Sequence, residues 1–305
     1  MTPLSPSPIA LDLRAALRRF YIAALGATLL YSLPLLSLLQ FSLQSRLYSH
    51  ILLIPLISFY FFRQQQPNLP AVAHPDRSLA ILFAALGLIT LGAYGCLKFS
   101  DVSLAVADGL AMTTASWLLI ELAICSWLLG RPRTRALAFP LAMLVFMVPL
   151  PTFAEQGTET ILQHGSAFVA RGLFSLAGTT VFADGLVFQL PGITIQIAPE
   201  CSGIHSSLVL FIISVVSGQL ILRSNLRRIV LAVAVIPLAL LRNGFRVFVI
   251  GELCVRKGPH MIDSYIHHHG GPIFFSLSLI PFFALLTWLI RSERNALRAK
   301  HPTST

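Results

Sequence analysis

Apolar runs long enough to cross a bilayer alternate with short basic stretches along most of this chain. A transmembrane helix needs roughly 20 apolar residues, with about 17 as the lower end. The pattern predicts eight spans, at about 20–39, 47–62, 79–97, 103–129, 136–150, 203–222, 229–255 and 272–290. The region 152–199 lies between the fifth and sixth spans. Its helical-looking part, 159–176, holds Gly165 and Gly172 and is followed by Gly178, which predicts a broken helix. Asp184-Gly185 predicts a turn, and alternation over 187–197 predicts a short hairpin or strand. The expected fold is an all-α, polytopic membrane helix bundle. Its parts are a cytoplasmic segment 1–19, one membrane domain 20–290 with 152–199 as an extracytoplasmic segment, and a basic cytoplasmic tail 291–305.

Composition strengthens this picture. The chain has 305 residues, 55% hydrophobic and 11% charged, where a soluble domain carries about a quarter charged residues. The net charge of +10 arises from 22 Lys+Arg against 12 Asp+Glu. These basic residues cluster between apolar runs, which is the positive-inside pattern and not a nucleic-acid surface. With eight spans, the clusters at Arg14-Arg18-Arg19, Arg63-Arg77, Arg131-Arg133-Arg135, Arg223-Arg227-Arg228 and Arg291-Arg294-Arg298 all fall on one side, expected to be the cytoplasm. The amino-terminal run shows no cleavable-signal pattern and reads as a first span. Cys96, Cys125 and Cys254 lie in or beside apolar runs and are expected to fill space.

Reactive groups gather in one stretch, Ile197-Ala-Pro-Glu-Cys-Ser-Gly-Ile-His-Ser-Ser207, just before the sixth span. Two other stretches reach the same side. Arg246 lies seventeen residues beyond the start of the seventh span at 229, about 25 Å along a helix, near the far boundary of a hydrocarbon core roughly 30 Å thick. His267 precedes the last span on that side. Each has an ordinary explanation. A cysteine beside a span commonly packs as a small core residue, yet Glu200 and Ser202 are costly neighbours to bury for packing alone. An arginine near a helix end commonly snorkels, yet Asn243 and Gly244 stand between Arg242 and Arg246, and intramembrane charge points to function. His267-His268-His269 cannot all face one ion from a helix, so no metal and no cofactor is expected. Asp108 and Glu121 are thirteen residues apart and do not share a helix face, so they read as structural carboxylates.

A thiolate favoured by a cation, an imidazole that carries protons and an arginine that holds an oxyanion suit acyl transfer through a thioester. A polytopic transporter or polysaccharide-export component using Arg246, Asp108 and Glu121 as pathway charges is the alternative, and a membrane-bound acyltransferase a third reading. Transporters pair broken helices at the midplane, and no such pairing is visible.

The stretches Pro199-Glu-Cys-Ser-Gly-Ile204, Asn243-Gly-Phe-Arg-Val247 and His267-His-His-Gly-Gly-Pro-Ile-Phe-Phe275, with Val148-Pro-Leu-Pro151, resemble the exosortase/archaeosortase family over roughly residues 141–290. The resemblance implies a cysteine transpeptidase-like protease of the bacterial inner membrane with an extracytoplasmic active site. Its partners would be exported proteins ending in a sorting motif (Pro-Glu-Pro in the best-known class), a transmembrane helix and an Arg-rich end, often made alongside exopolysaccharide. Membrane lipids surround it and nucleic acid plays no part. By position, Cys201 would be the nucleophile, Arg246 the cation and His267 the acid/base, chosen over His268 and His269 for its spacing to Gly271. Glu200 stands where the family often has a small residue. A carboxylate there disfavours the thiolate unless Arg242 or Arg246 pairs with it, so such pairing is expected. His205, at i+4 from Cys201, is the alternative imidazole.

Overall fold

The computed structural model describes residues 8–71, 73–100, 103–198, 202–264 and 270–300. The chain divides into two compact units, Met1–Ala154 and Glu155–Thr305.

The first unit is helical: α1 (Pro8–Leu30), α2 (Ser32–Gln44), α3 (Ile54–Gln65), α4 (Arg77–Phe99), α5 (Val106–Leu128), α6 (Gly130–Ala136) and α7 (Ala138–Met143). Only 11% of the apolar stretch of α4 is buried against 61% of that of α5, so α5 runs through the middle and α4 faces outward. Contact between them needs a small residue. A Cβ on Gly87 would lie 3.2 Å from both Ile120 Cδ1 and the Ser116 carbonyl oxygen. Ser116 Oγ donates to the Gly87 carbonyl at 2.8 Å and lies 2.7 Å from Tyr31 Oη. Small residues and hydroxyl bonds hold helices together where lipid removes the hydrophobic drive between them.

The second unit contains α8 (Thr152–Leu176), β1 (Phe182–Asp184), β2 (Val187–Leu190), β3 (Ile193–Gln196), α9 (Ile204–Ile221), α10 (Asn225–Lys257) and α11 (Gly271–Lys300). The first residues of α8 belong to the other unit. The strands form an antiparallel sheet in the order β1-β2-β3. Pro191 and Gly192 (φ +82°) join β2 to β3, a sequence that a type II turn favours, with the left-handed position taken by glycine. One face of the sheet packs through Phe188, Leu190 and Ile197 onto Ala167, Ala170 and Phe174 of α8 and Val247 of α10. The helices α9, α10 and α11 bury Leu210, Leu231, Val235, Phe282 and Leu286 together. The Glu293 carboxylate of α11 ties down the α9–α10 connection. It accepts the backbone N–H groups of Arg223 at 3.1 Å and Ser224 at 2.8 Å and pairs with Arg227 at 3.3 Å.

The bundle is an all-α membrane fold with a small sheet inserted. Among the described residues five helices are long and apolar enough to cross a membrane, or up to seven if two broken pairs count as one span each. The sequence pattern predicts eight, and the difference has local causes. The expected span 20–39 breaks at Tyr31, where α1 and α2 bend by 71°. Pro34, in the first turn of α2, lacks an N–H and its ring crowds the carbonyl four residues back. The expected span 47–62 is a helix of 12 residues preceded by a 3-10 turn, about 18 Å long. The expected span 136–150 is split into α7 and a 3-10 turn and stops at Val148-Pro-Leu-Pro151. The helix predicted as broken at 159–176 is instead continuous. Gly157 and Gly172 have open space around them, whereas Gly165 admits Leu240, whose Cδ2 would be 2.7 Å from an added Cβ. Gly178 (φ +74°) ends α8, with Thr179 N–H donating to the Phe174 carbonyl at 3.0 Å, a Schellman arrangement. The hairpin expected over 187–197 is present as β2 and β3, and the turn at Asp184-Gly185 is present too.

Candidate active site

Cys201, Glu200, His267, His268 and His269 lie outside the described residues. The residues flanking Glu200 and Cys201 are described, and they meet α10. Gly203, two residues after Cys201, precedes α9 with φ +73°. That left-handed conformation suits glycine, and space demands it as well: a Cβ would lie 3.0 Å from Arg242 Nη2 and 3.2 Å from Asn243 Oδ1. The start of α9 therefore rests directly on the Arg242-Asn243 turn of α10.

Hydrogen bonds fix this contact. Arg242 Nη2 donates to the Gly203 carbonyl at 3.2 Å and to Ser207 Oγ at 3.1 Å. The same carbonyl accepts Ser206 Oγ at 3.0 Å, Ser207 Oγ at 2.8 Å and the Ser207 N–H at 3.0 Å. Arg242 is 8% exposed, and its Nη1 is buried with no partner among the described residues. Arg246 lies one helical turn further on, half-buried, at the i+4 position that shares the Arg242 face. His205 is the second residue of α9 and half-buried.

Helix α8 supplies a third wall that the sequence reading missed. Asn243 Nδ2 donates to Ser166 Oγ at 3.0 Å. Gln163 Nε2 donates to the Ile197 carbonyl at 3.2 Å, four residues before Cys201. The helices approach closely at Gly244, where a Cβ would meet Val169 Cβ at 2.6 Å and the Ser166 carbonyl at 2.9 Å. The available signal was the spacing of Gln163, Ser166, Ala167, Ala170 and Phe174, one buried stripe of a single helix face.

Arg242, Arg246 and the N-terminal end of α9 all contribute positive potential. Helix N-termini carry unsatisfied N–H groups and partial positive charge, so negative charge is favoured at this corner. Asp108 and Glu121 are engaged elsewhere: Asp108 accepts the Thr152 N–H at 2.7 Å and its hydroxyl at 2.9 Å, and Glu121 accepts Thr28 Oγ1 at 3.2 Å.

A family model described as "Transmembrane exosortase (Exosortase_EpsH)" matches residues 40–284, a stretch that holds most of the chain, including α9, α10 and the start of α11. The chain belongs to the exosortase family. It is accordingly a multi-pass membrane protein and a membrane sorting enzyme of a cysteine transpeptidase family. Comparison with curated proteins finds no match, and comparison with solved structures finds none either.

Proposed function

We propose that this exosortase is a cysteine transpeptidase/protease that cleaves the carboxy-terminal sorting tail of exported proteins through a thioester, with Cys201 as nucleophile, Arg246 as cation and His267 as acid/base. The observation that carries the reading is the seating of Gly203 on Arg242 and Asn243. It brings the residue two positions from Cys201 against the helix turn that leads to Arg246.

In this reading the Cys201 thiolate attacks the scissile carbonyl carbon, and its oxyanion faces the Arg246 guanidinium. The C–N bond breaks as His267 protonates the leaving amine, which departs with the transmembrane tail. His267 then takes a proton from the acceptor nucleophile, which attacks the thioester carbonyl and releases the thiolate. In this reading the site faces the extracytoplasmic side of the bacterial inner membrane, which the grouping of Arg223, Arg227 and Arg228 at the other end of α9 favours, and its substrates end in a sorting motif, a span and arginines. The same reading gives the Glu200 carboxylate to Arg242, whose Nη1 has a donor to spare among the described residues.

The test is covalent capture. Membranes processing an exported reporter with a Pro-Glu-Pro tail are quenched in acid and digested for mass spectrometry. The upstream fragment is expected on Cys201 and released by hydroxylamine. Its capture on any other residue overturns the assignment.

A further inference from the structure

The strand β3 is an edge strand, and it runs into the segment that carries Cys201. Its register shows which backbone groups face outward. The two-residue turn pairs Leu190 with Ile193, and Ile197 N–H donates to the Leu186 carbonyl at 2.9 Å. Hydrogen-bonded pairs alternate in an antiparallel ladder, so Ile193, Ile195 and Ile197 face β2 through their backbones. Thr194 and Gln196 therefore point their N–H and carbonyl groups away from the sheet. Neither residue's backbone makes another hydrogen bond among the described residues. Both are exposed, while Ile193 and Ile195 pack against the core. The edge is held firmly, because Gln163 anchors the Ile197 carbonyl. Cys201 follows Gln196 by five residues, which reach at most about 17 Å.

We propose that the outer edge of β3 is the substrate-docking edge: the extended segment flanking the cleaved bond adds to the sheet as a fourth strand, hydrogen-bonded to Thr194 and Gln196. This rests on the cysteine-enzyme reading above. An outward row of unpaired backbone donors and acceptors is a template for one chemistry, an extended polypeptide. Backbone pairing gives affinity without reading side chains, and it would fix the direction of the tail relative to Cys201. The opposite edge at β1 offers the outward groups of Ala183, but eighteen residues separate it from Cys201. A protein that only needed the sheet as a packing layer would be indifferent to which edge is blocked.

The test blocks each edge with proline, which removes an outward N–H and fills the space beside it. Cells co-express an exported reporter with a Pro-Glu-Pro tail, an apolar span and terminal arginines, and the membrane level of each variant is measured by immunoblot. Cys201→Ala is expected to abolish tail removal; if it does not, the cysteine-enzyme reading fails first. With that arm satisfied, Thr194→Pro and Gln196→Pro are each expected to slow tail removal at least tenfold, while Ala183→Pro retains it. Equal loss in all three prolines, or retained processing in the β3 pair, overturns the docking edge. A second measurement holds even where a proline lowers the protein level. In the Cys201→Ala chain, p-benzoylphenylalanine replacing Gln196 is expected to photo-crosslink the tail, and the same replacement of Ala183 is not. Equal capture at both positions, or none at 196, also counts against it.

Discussion

Arg242 carries the contact that seats the start of α9 on α10. It is buried, it bonds a backbone carbonyl and a hydroxyl on α9, and its Nη1 points to no described partner. Guanidinium donors are fixed in a planar fork that an ammonium cannot reproduce. Arg242→Lys is therefore expected to lower the tail-processing rate about tenfold, equivalent to ~1.4 kcal/mol, with the membrane level unchanged. If Glu200 is the partner of Nη1, Glu200→Gln and Arg242→Gln are non-additive, since interacting residues couple by about 0.5–3 kcal/mol in a double-mutant cycle. Additive effects on the processing rate would dismiss the pairing. Arg242, Asn243 and Arg246 stood out in the sequence because charge inside an apolar run is costly and needs a reason, and the structure sets Arg242 and Asn243 against Gly203. Ser166 and Gln163 were not, because a neutral hydroxyl and an amide on a helix that looked broken carry no such cost.

At the scale of elements, the site depends on α8 passing close to α10. The crossing is set by glycines at which a single added carbon already collides: Gly165 with Leu240, Gly244 with Val169, and Gly251 with Phe174 Cζ at 2.5 Å. Overpacking of this kind costs about 1–3 kcal/mol. Gly244→Leu is expected to lower the thermal midpoint of the detergent-solubilised protein by several degrees and to abolish processing, with Gly244→Ala intermediate. An unchanged midpoint would mean that α8 and α10 do not pack through this face. Gly165 also shows why the local sequence misled. Glycine in a helix is read as a breaker by propensity, whereas here it permits contact between helices. The hairpin was legible because the alternation over 187–197 states it locally. The β1 strand was not, since its three residues pair only with β2.

For the molecule as a whole, composition alone announces a membrane bundle, and the large exposed side chains of α1, α2, α4 and α11, such as Leu30, Leu33, Ile89 and Ile280, are what a lipid-facing surface requires. The count of crossings was less legible. Hydropathy sees apolar length but not the proline at residue 34 that bends α1 against α2, nor the short helix at Ile54–Gln65. The convergence of α8, α9 and α10 on one corner is a tertiary fact, although counting spans anticipated two of its three elements. The account turns on whether the Cys201 thiol, three residues before α9 in the sequence, performs the chemistry. The measurement that asks this most directly is tail removal from an exported Pro-Glu-Pro reporter in cells carrying Cys201→Ala at a membrane level equal to the unsubstituted enzyme. The account predicts that the reporter accumulates with its tail attached; removal of the tail at the normal rate would contradict it.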